Sequence, residues 1–187
     1  MSAAPRSWIR FAVLALALAL GAHLRLRGLS ELPLHGDEYH TVFWKPGVES
    51  ADSDRIDLAA VSYGAILTQF DLVGSHVALP LLQRLSLDVF GAGIVPFRLV
   101  AIVPGLLLLL LAYPLLRAFV SANAAALATA ALAVNPMVVY YARFARGYSL
   151  ALLLALVLGW AVKRVLEPEG RSRWSWSALI AAAALLP

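Results

Sequence analysis

Residues 99–116 read LVAIVPGLLLLLLAYPLL, eighteen consecutive positions without a charged side chain. Wound as a helix, such a run matches the hydrocarbon thickness of a bilayer, and a water-soluble core rarely requires one. The rest of the composition agrees. Hydrophobic residues make up 61% of the 187 and charged residues 14%, where ordinary globular domains sit near about half and a quarter. The excess must face lipid. In hydrocarbon every backbone N–H and C=O needs an internal partner, which helices supply, so the expected fold class is an all-α integral membrane bundle of several spans.

Outward from that run, apolar segments recur at residues 8–24, 95–116, 122–141, 147–162 and 176–187. The first has the basic start and apolar middle of a signal peptide. Gly21-Ala22-His23-Leu24 is a poor small-residue cleavage site, however, and more spans follow, so an uncleaved first helix is expected. Pro104 and Pro114 fall inside the second span, where neighbouring helices can satisfy the freed carbonyls. The last segment holds only twelve residues, too few to cross. The chain therefore reads as the amino-terminal part, residues 1–187, of a longer transmembrane domain.

Basic residues set the expected orientation. With the amino terminus in the cytoplasm, residues 1–10, 117–121 and 163–175 are cytoplasmic and hold seven Lys or Arg in 28 positions, against seven in 76 for residues 25–94 and 142–147. Density favours that orientation. Arg25 and Arg27 run against it, because they flank the outer end of the first helix. The net charge of +4 is spread between apolar segments rather than gathered in a stripe, which argues against nucleic acid.

Residues 25–94 carry nine of the eleven acidic residues and form a loop of distinct character. Helical spacing links Ile56, Ala59, Ala60, Tyr63, Ile66, Leu67 and Phe70, and again Ala78, Leu81, Leu82, Leu85 and Val89 before Gly91. Two amphipathic surface helices would bury those stripes in the membrane interface and leave Gln69, Gln83, Arg84 and Asp88 to water; packing against protein fits equally. Cysteine is absent, and no GxGxxG, Walker or HExxH pattern occurs, so nucleotide and zinc-protease chemistry have no support.

Two clusters can carry chemistry. His35-Gly36-Asp37-Glu38-Tyr39-His40 sets two adjacent carboxylates near the outer membrane surface, where partial shielding suits a carboxylate to accept a proton; the same residues also fit a solvated turn. The second is Asn135 through Tyr148, whose Arg143 and Arg146 sit at bilayer-edge depth among tyrosines. A planar guanidinium makes two charge-assisted bonds to a phosphate, although snorkelling arginines in an interfacial belt look the same. Three apart, Arg143 and Arg146 would share one helical face if the fourth helix began early. Arg98, at the outer end of the second span, either binds an anion or reaches for the interface, with the latter favoured. His76 and Arg84 complete the candidates.

In their order these features resemble the amino-terminal part of the GT-C glycosyltransferases, multi-span enzymes that use polyprenyl-phosphate sugars, and especially their bacterial branch of protein mannosyltransferase and aminoarabinose transferase type. Asp37 and Glu38 match a carboxylate pair in the first outer loop. A glycine-led approach to Arg-Leu at the second span is met loosely by residues 91–99, and a Pro…Tyr-x-Arg-x-x-Arg-x-Tyr segment closely by residues 136–148. The family's His-Pro surface helix reads His76-Val77-Ala78-Leu79-Pro80 here, a departure. The resemblance implies that Asp37 acts as catalytic base or orients the acceptor, that Glu38 assists it, and that Arg143, Arg146 and Tyr148 meet the phosphate of the donor. The implied reaction moves a sugar from a polyprenyl-phosphate carrier to a lipid, glycan or protein acceptor at the outer face of the plasma membrane. No cofactor is expected, and no third carboxylate or histidine is placed to complete a divalent-metal site.

Two other classes remain. A lipid or solute transporter or flippase tends to place charges or broken helices near the bilayer midplane, and here Pro104 is the only deep irregularity expected, which argues against transport. A non-catalytic membrane scaffold would tolerate free replacement of Asp37.

Overall fold

A computed structural model describes residues 5–34, 36–42, 57–68, 77–167, 176–178 and 180–181, without the side chains of residues 5–7, 37, 40 and 57. Every regular element among them is helical: α1 (Pro5–Leu26), α2 (Gly36–Val42), a 3-10 turn (Asp57–Ala60), α3 (Tyr63–Thr68), α4 (Ala78–Phe90), α5 (Ile94–Leu116), α6 (Ala122–Val134), α7 (Pro136–Arg143) and α8 (Tyr148–Leu166). Three are long and apolar enough to cross a membrane: Trp8–Leu26, Ile94–Leu116 and Tyr148–Leu166. Most of the fifth expected span, 176–187, lies outside the described residues.

The third expected span departs from its reading as one helix. Residues 122–141 form α6 and α7, bent by 55° at Asn135. Pro136 has no N–H to continue the ladder, and the Asn135 side chain accepts from Met137 N (2.9 Å) and Val138 N (3.1 Å), starting a new helix. The break is an irregularity that the hydropathy pattern does not show, and it begins beside the last turn of α1, where Arg25 meets Leu132 O and Ala133 O. α5, by contrast, continues unbroken through Pro104 and Pro114.

α5 is the hub and touches α1, α4, α6, α7 and α8. Its inward positions include Ala101, Gly105 and Ala112, while Val103, Leu107 and Leu110 are exposed. Where the solvent is lipid, polarity cannot sort inside from outside; small residues mark the interfaces because they let backbones approach. A Cβ added at Gly105 would stand 2.7 Å from Ala142 Cβ. Gly105→Ala therefore forces α5 and α7 apart, with an expected cost of about 1–3 kcal/mol. Thermal unfolding in detergent should show a lowered midpoint for it and none for Gly64→Ala, where only Ser62 Oγ comes within 4.0 Å.

Side-chain contacts fix the helix directions. Arg10 near the start of α1 donates to Asn123 at the start of α6 (3.4 Å), and Gly21 lies against Ala133 near both ends, so α1 and α6 run together. α5 starts beside the loop that follows α1, through Arg98 and Leu29, and α8 starts near Gly105 through Ser149. The end of α1, α2, the start of α5 and the α7–α8 loop thus gather at one rim, while α8 starts beside the middle of α5.

Beside that rim, Val42, Leu58, Val61, Ile66, Leu87 and Phe97 form a buried cluster with Ala145. Of the first expected stripe Ile66 is buried here and Ala59 half-buried, whereas Ala60, Tyr63 and Leu67 are exposed, and the residues that pack inward beside Ile66 are Leu58 and Val61, which lie off that stripe; Ile56 and Phe70 lie outside the described residues. Residues 57–68 are a 3-10 turn and a short helix interrupted at Val61 and Ser62 rather than one helix. In α4 the expected faces are partly exchanged. Gln83, expected in water, is fully buried and donates to Ala145 O (2.9 Å), whereas Leu82, Leu85 and Val89 are exposed. Ala145 is presented with its carbonyl toward α4, and the Gln83 amide on the inner face meets it.

Candidate functional site

The rim is built around one buried ion pair. α2 carries Glu38 inward, where the Arg98 guanidinium grips it: Nε donates to Oε1 (3.1 Å) and Nη2 to Oε2 (2.9 Å), with both side chains at 0% exposure. Nη1 donates to Leu29 O (2.8 Å) and Leu32 O (3.1 Å), and Nη2 also to Pro33 O (3.0 Å). Five N–H groups thus have five acceptors, the complete capacity of an arginine. The interfacial role favoured for Arg98 from sequence is corrected. It turns inward because the chain that follows α1 offers three carbonyls and a carboxylate, which together offset the cost of burying a charge.

Glu38 Oε1 also accepts Ala145 N (2.6 Å), and Arg98 lies over the Phe144 ring at 5.6 Å. The acidic loop and the arginine-bearing α7–α8 loop are thereby sewn together, Asp37 and Arg146 being chain neighbours of the two residues joined. Asp37 stands in the first turn of α2; its side chain, like His76, lies outside the described residues. Glu38 has both oxygens engaged and no exposed surface.

Arg143 and Arg146 do not share a helical face, contrary to the sequence expectation. α7 ends at Arg143, Phe144 is extended (φ −104°, ψ 140°), and α8 begins only at Tyr148, so Arg146 sits in the loop between them. Arg143 Nη2 donates to Arg27 O (2.6 Å), while its buried Nε has no partner. Together with Leu24, Arg27, Gly28, Glu31 and Leu32 it lines an open cleft of about 370 Å³, within the size range of small-ligand sites. Arg146 is half-buried, and its backbone N donates to Phe144 O (2.7 Å). Tyr148 is half-exposed and lies against Tyr141 with ring centroids 4.4 Å apart.

Arg84 serves another purpose. Its Nε donates to Val61 O (2.9 Å), it pairs with Asp88 one turn on, and it lies over the Tyr63 ring, fastening α4 to the 3-10 turn and α3. The Tyr63 hydroxyl donates to Asp88 (2.6 Å) and, with help from Arg84, holds that carboxyl below its usual range. Arg27 is a part of the site that sequence reasoning misses. The available signal is its conflict with the orientation rule. Among the described residues no group of three His, Asp or Glu could hold a metal ion.

Helices long and apolar enough to cross a bilayer, packed through small residues and joined at one end by a buried ion pair, define an all-α membrane protein. Residues 77–187 match the family model of dolichyl-phosphate-mannose-protein mannosyltransferases, more than half of the chain. The chain belongs to that family and is a membrane glycosyltransferase of the GT-C kind. No curated protein and no solved structure matches it. The match includes Arg84, Arg98 and the loop from Arg143 to Tyr148, whereas Asp37 and Glu38 precede it.

Proposed function

We propose that this protein transfers a sugar from a polyprenyl-phosphate carrier to an acceptor at the extracytoplasmic face of the plasma membrane, with its amino terminus in the cytoplasm. The observation that carries the reading is the bond from Ala145 N to Glu38, which holds the acidic loop against the arginine loop at one rim. In the reaction an acceptor hydroxyl or amine attacks the anomeric carbon, the bond from that carbon to the phosphate oxygen breaks, and the electron pair leaves with the phosphate. Asp37 takes the acceptor's proton. Arg143 and Arg146 meet the negative charge on the departing phosphate, and Tyr148 beside Tyr141 sits at headgroup depth.

The cleft beside Arg143 supports this division. It has guanidinium-bearing residues for phosphate, Leu24 and Leu32 for the first carbons of a lipid tail, and Glu31 to accept from hydroxyl groups. Glu38 acts by holding the loop that carries Asp37. Arg143→Gln is expected to raise the KM for the lipid-linked donor about tenfold, the worth of one charge-assisted contact, with kcat much less affected. Steady-state kinetics over a donor series in membranes would measure this, and an unchanged donor KM rejects the placement. The break between α6 and α7 also suits a lipid flippase; net movement of labelled lipid without any sugar transfer would decide for that reading.

A further inference from the structure

Arg25 lies at the contact of α1 with α6 and has no exposed surface. Among the described residues no carboxylate pairs with it. A charge buried at membrane depth is costly, and the structure must offset it. Its Nη1 donates to Gly21 O (2.8 Å) on its own helix and to Ala133 O (2.8 Å), and its Nη2 to Leu132 O (3.2 Å).

The last two oxygens are those that the break has stripped of their helical donors. Residue 136, which would donate to Leu132 O, is proline. Residue 137, which would donate to Ala133 O, gives its N–H to the Asn135 side chain instead (2.9 Å). The guanidinium replaces both donors and places a cation at the negative end of α6. Two residues further on, Arg27 O receives Arg143 Nη2 (2.6 Å). The end of α1 therefore grips both ends of the bent segment, through Arg25 where it begins and through Arg27 O where it stops.

We propose that Arg25 is a positioning residue: it holds the α6–α7 span in its bent form and so presents Arg143 at the rim. It touches no substrate. An unbroken span would return the N–H of residue 137 to Ala133 O and leave the arginine buried with one acceptor fewer. The bend and the buried charge thus stabilise each other. The positional claim stands on the geometry alone; its consequence for donor binding rests on the function proposed above.

The test uses spin labels at Leu127 on α6 and Tyr140 on α7, in the whole protein reconstituted in vesicles. Arg25→Met keeps an unbranched apolar stem and removes the donors. The distance between the labels is expected to lengthen and broaden relative to wild type, whereas an unchanged distribution overturns the proposal. Should Arg25→Met fail to accumulate, Asn135→Ala and Pro136→Ala are added to it, returning helical donors to the two carbonyls. Recovery of abundance with a straightened span is expected, and no recovery overturns the proposal. Donor KM supplies a second readout, in a cycle with Arg143→Gln. Arg25→Met should raise it about tenfold alone and add little once Arg143 is gone, whereas additive effects mean that Arg25 does not act through Arg143. A changed distance with an unchanged donor KM would uphold the bend and reject the donor assignment.

Discussion

Asp37→Asn is expected to abolish sugar transfer while leaving abundance and membrane insertion at the wild-type level. The substitution preserves shape and removes only the ability to hold a proton, so the predicted loss is that of a general base, roughly 10²- to 10⁴-fold in kcat. Stability should not change, because the framework around the residue is carried by its neighbour. Glu38, not Asp37, holds the buried pair with Arg98 and the bond to Ala145. Radiolabelled transfer assays normalised to protein in the membrane make the measurement. Normal turnover by the variant would reject Asp37 as the base.

The largest effect on stability is expected from Arg98→Met. It leaves the Glu38 carboxylate buried without its cation and takes donors from Leu29 O, Leu32 O and Pro33 O at one stroke. Removing one partner of a buried ion pair typically costs about 3–5 kcal/mol, and stranded carbonyls add to that. The variant should therefore unfold well below wild type in detergent and accumulate poorly. Glu38→Gln combined with Arg98→Met should cost less than the sum of the two single changes, since the uncompensated charge is gone. A near-normal midpoint for Arg98→Met would mean that the carboxylate is neutral or reached by water, and the rim would need another explanation. The comparison also separates Glu38 from Asp37: the first variant fails as a fold, the second as a catalyst.

Much of this architecture is legible in the amino-acid sequence. The unbroken run at residues 99–116 marks α5, and the clusters around Asp37 and Arg143 mark the chain segments that meet at the rim. Other features escape a sequence reading for identifiable reasons. Gln83 reads as a water-facing residue because it is polar, yet the inner face of α4 meets a backbone carbonyl that an amide can satisfy. Residues 122–141 read as one span because hydropathy does not register a missing N–H, although Asn135-Pro136 is a turn signal. Arg25 and Arg27 weigh against the orientation on a count of charges; in the fold Arg25 is consumed by the carbonyls of α6 and Arg27 lines a cleft.

What the sequence determined by itself is the solvent of this protein and the order of its helices. Burial in lipid is a property of composition summed over about twenty residues, and it needs no knowledge of neighbours. Which charges are buried in pairs and which are left at an open surface was decided by tertiary structure alone. Glu38 and Asp37 are adjacent and chemically alike, and Arg98 and Arg143 are the same residue type. Only the approach of α5 and the α7–α8 loop to α2, segments more than fifty residues apart in the chain, assigns Glu38 and Arg98 to each other and leaves Arg143 at an open cleft. A buried guanidinium takes the acceptors within its reach, and reach is set by the fold.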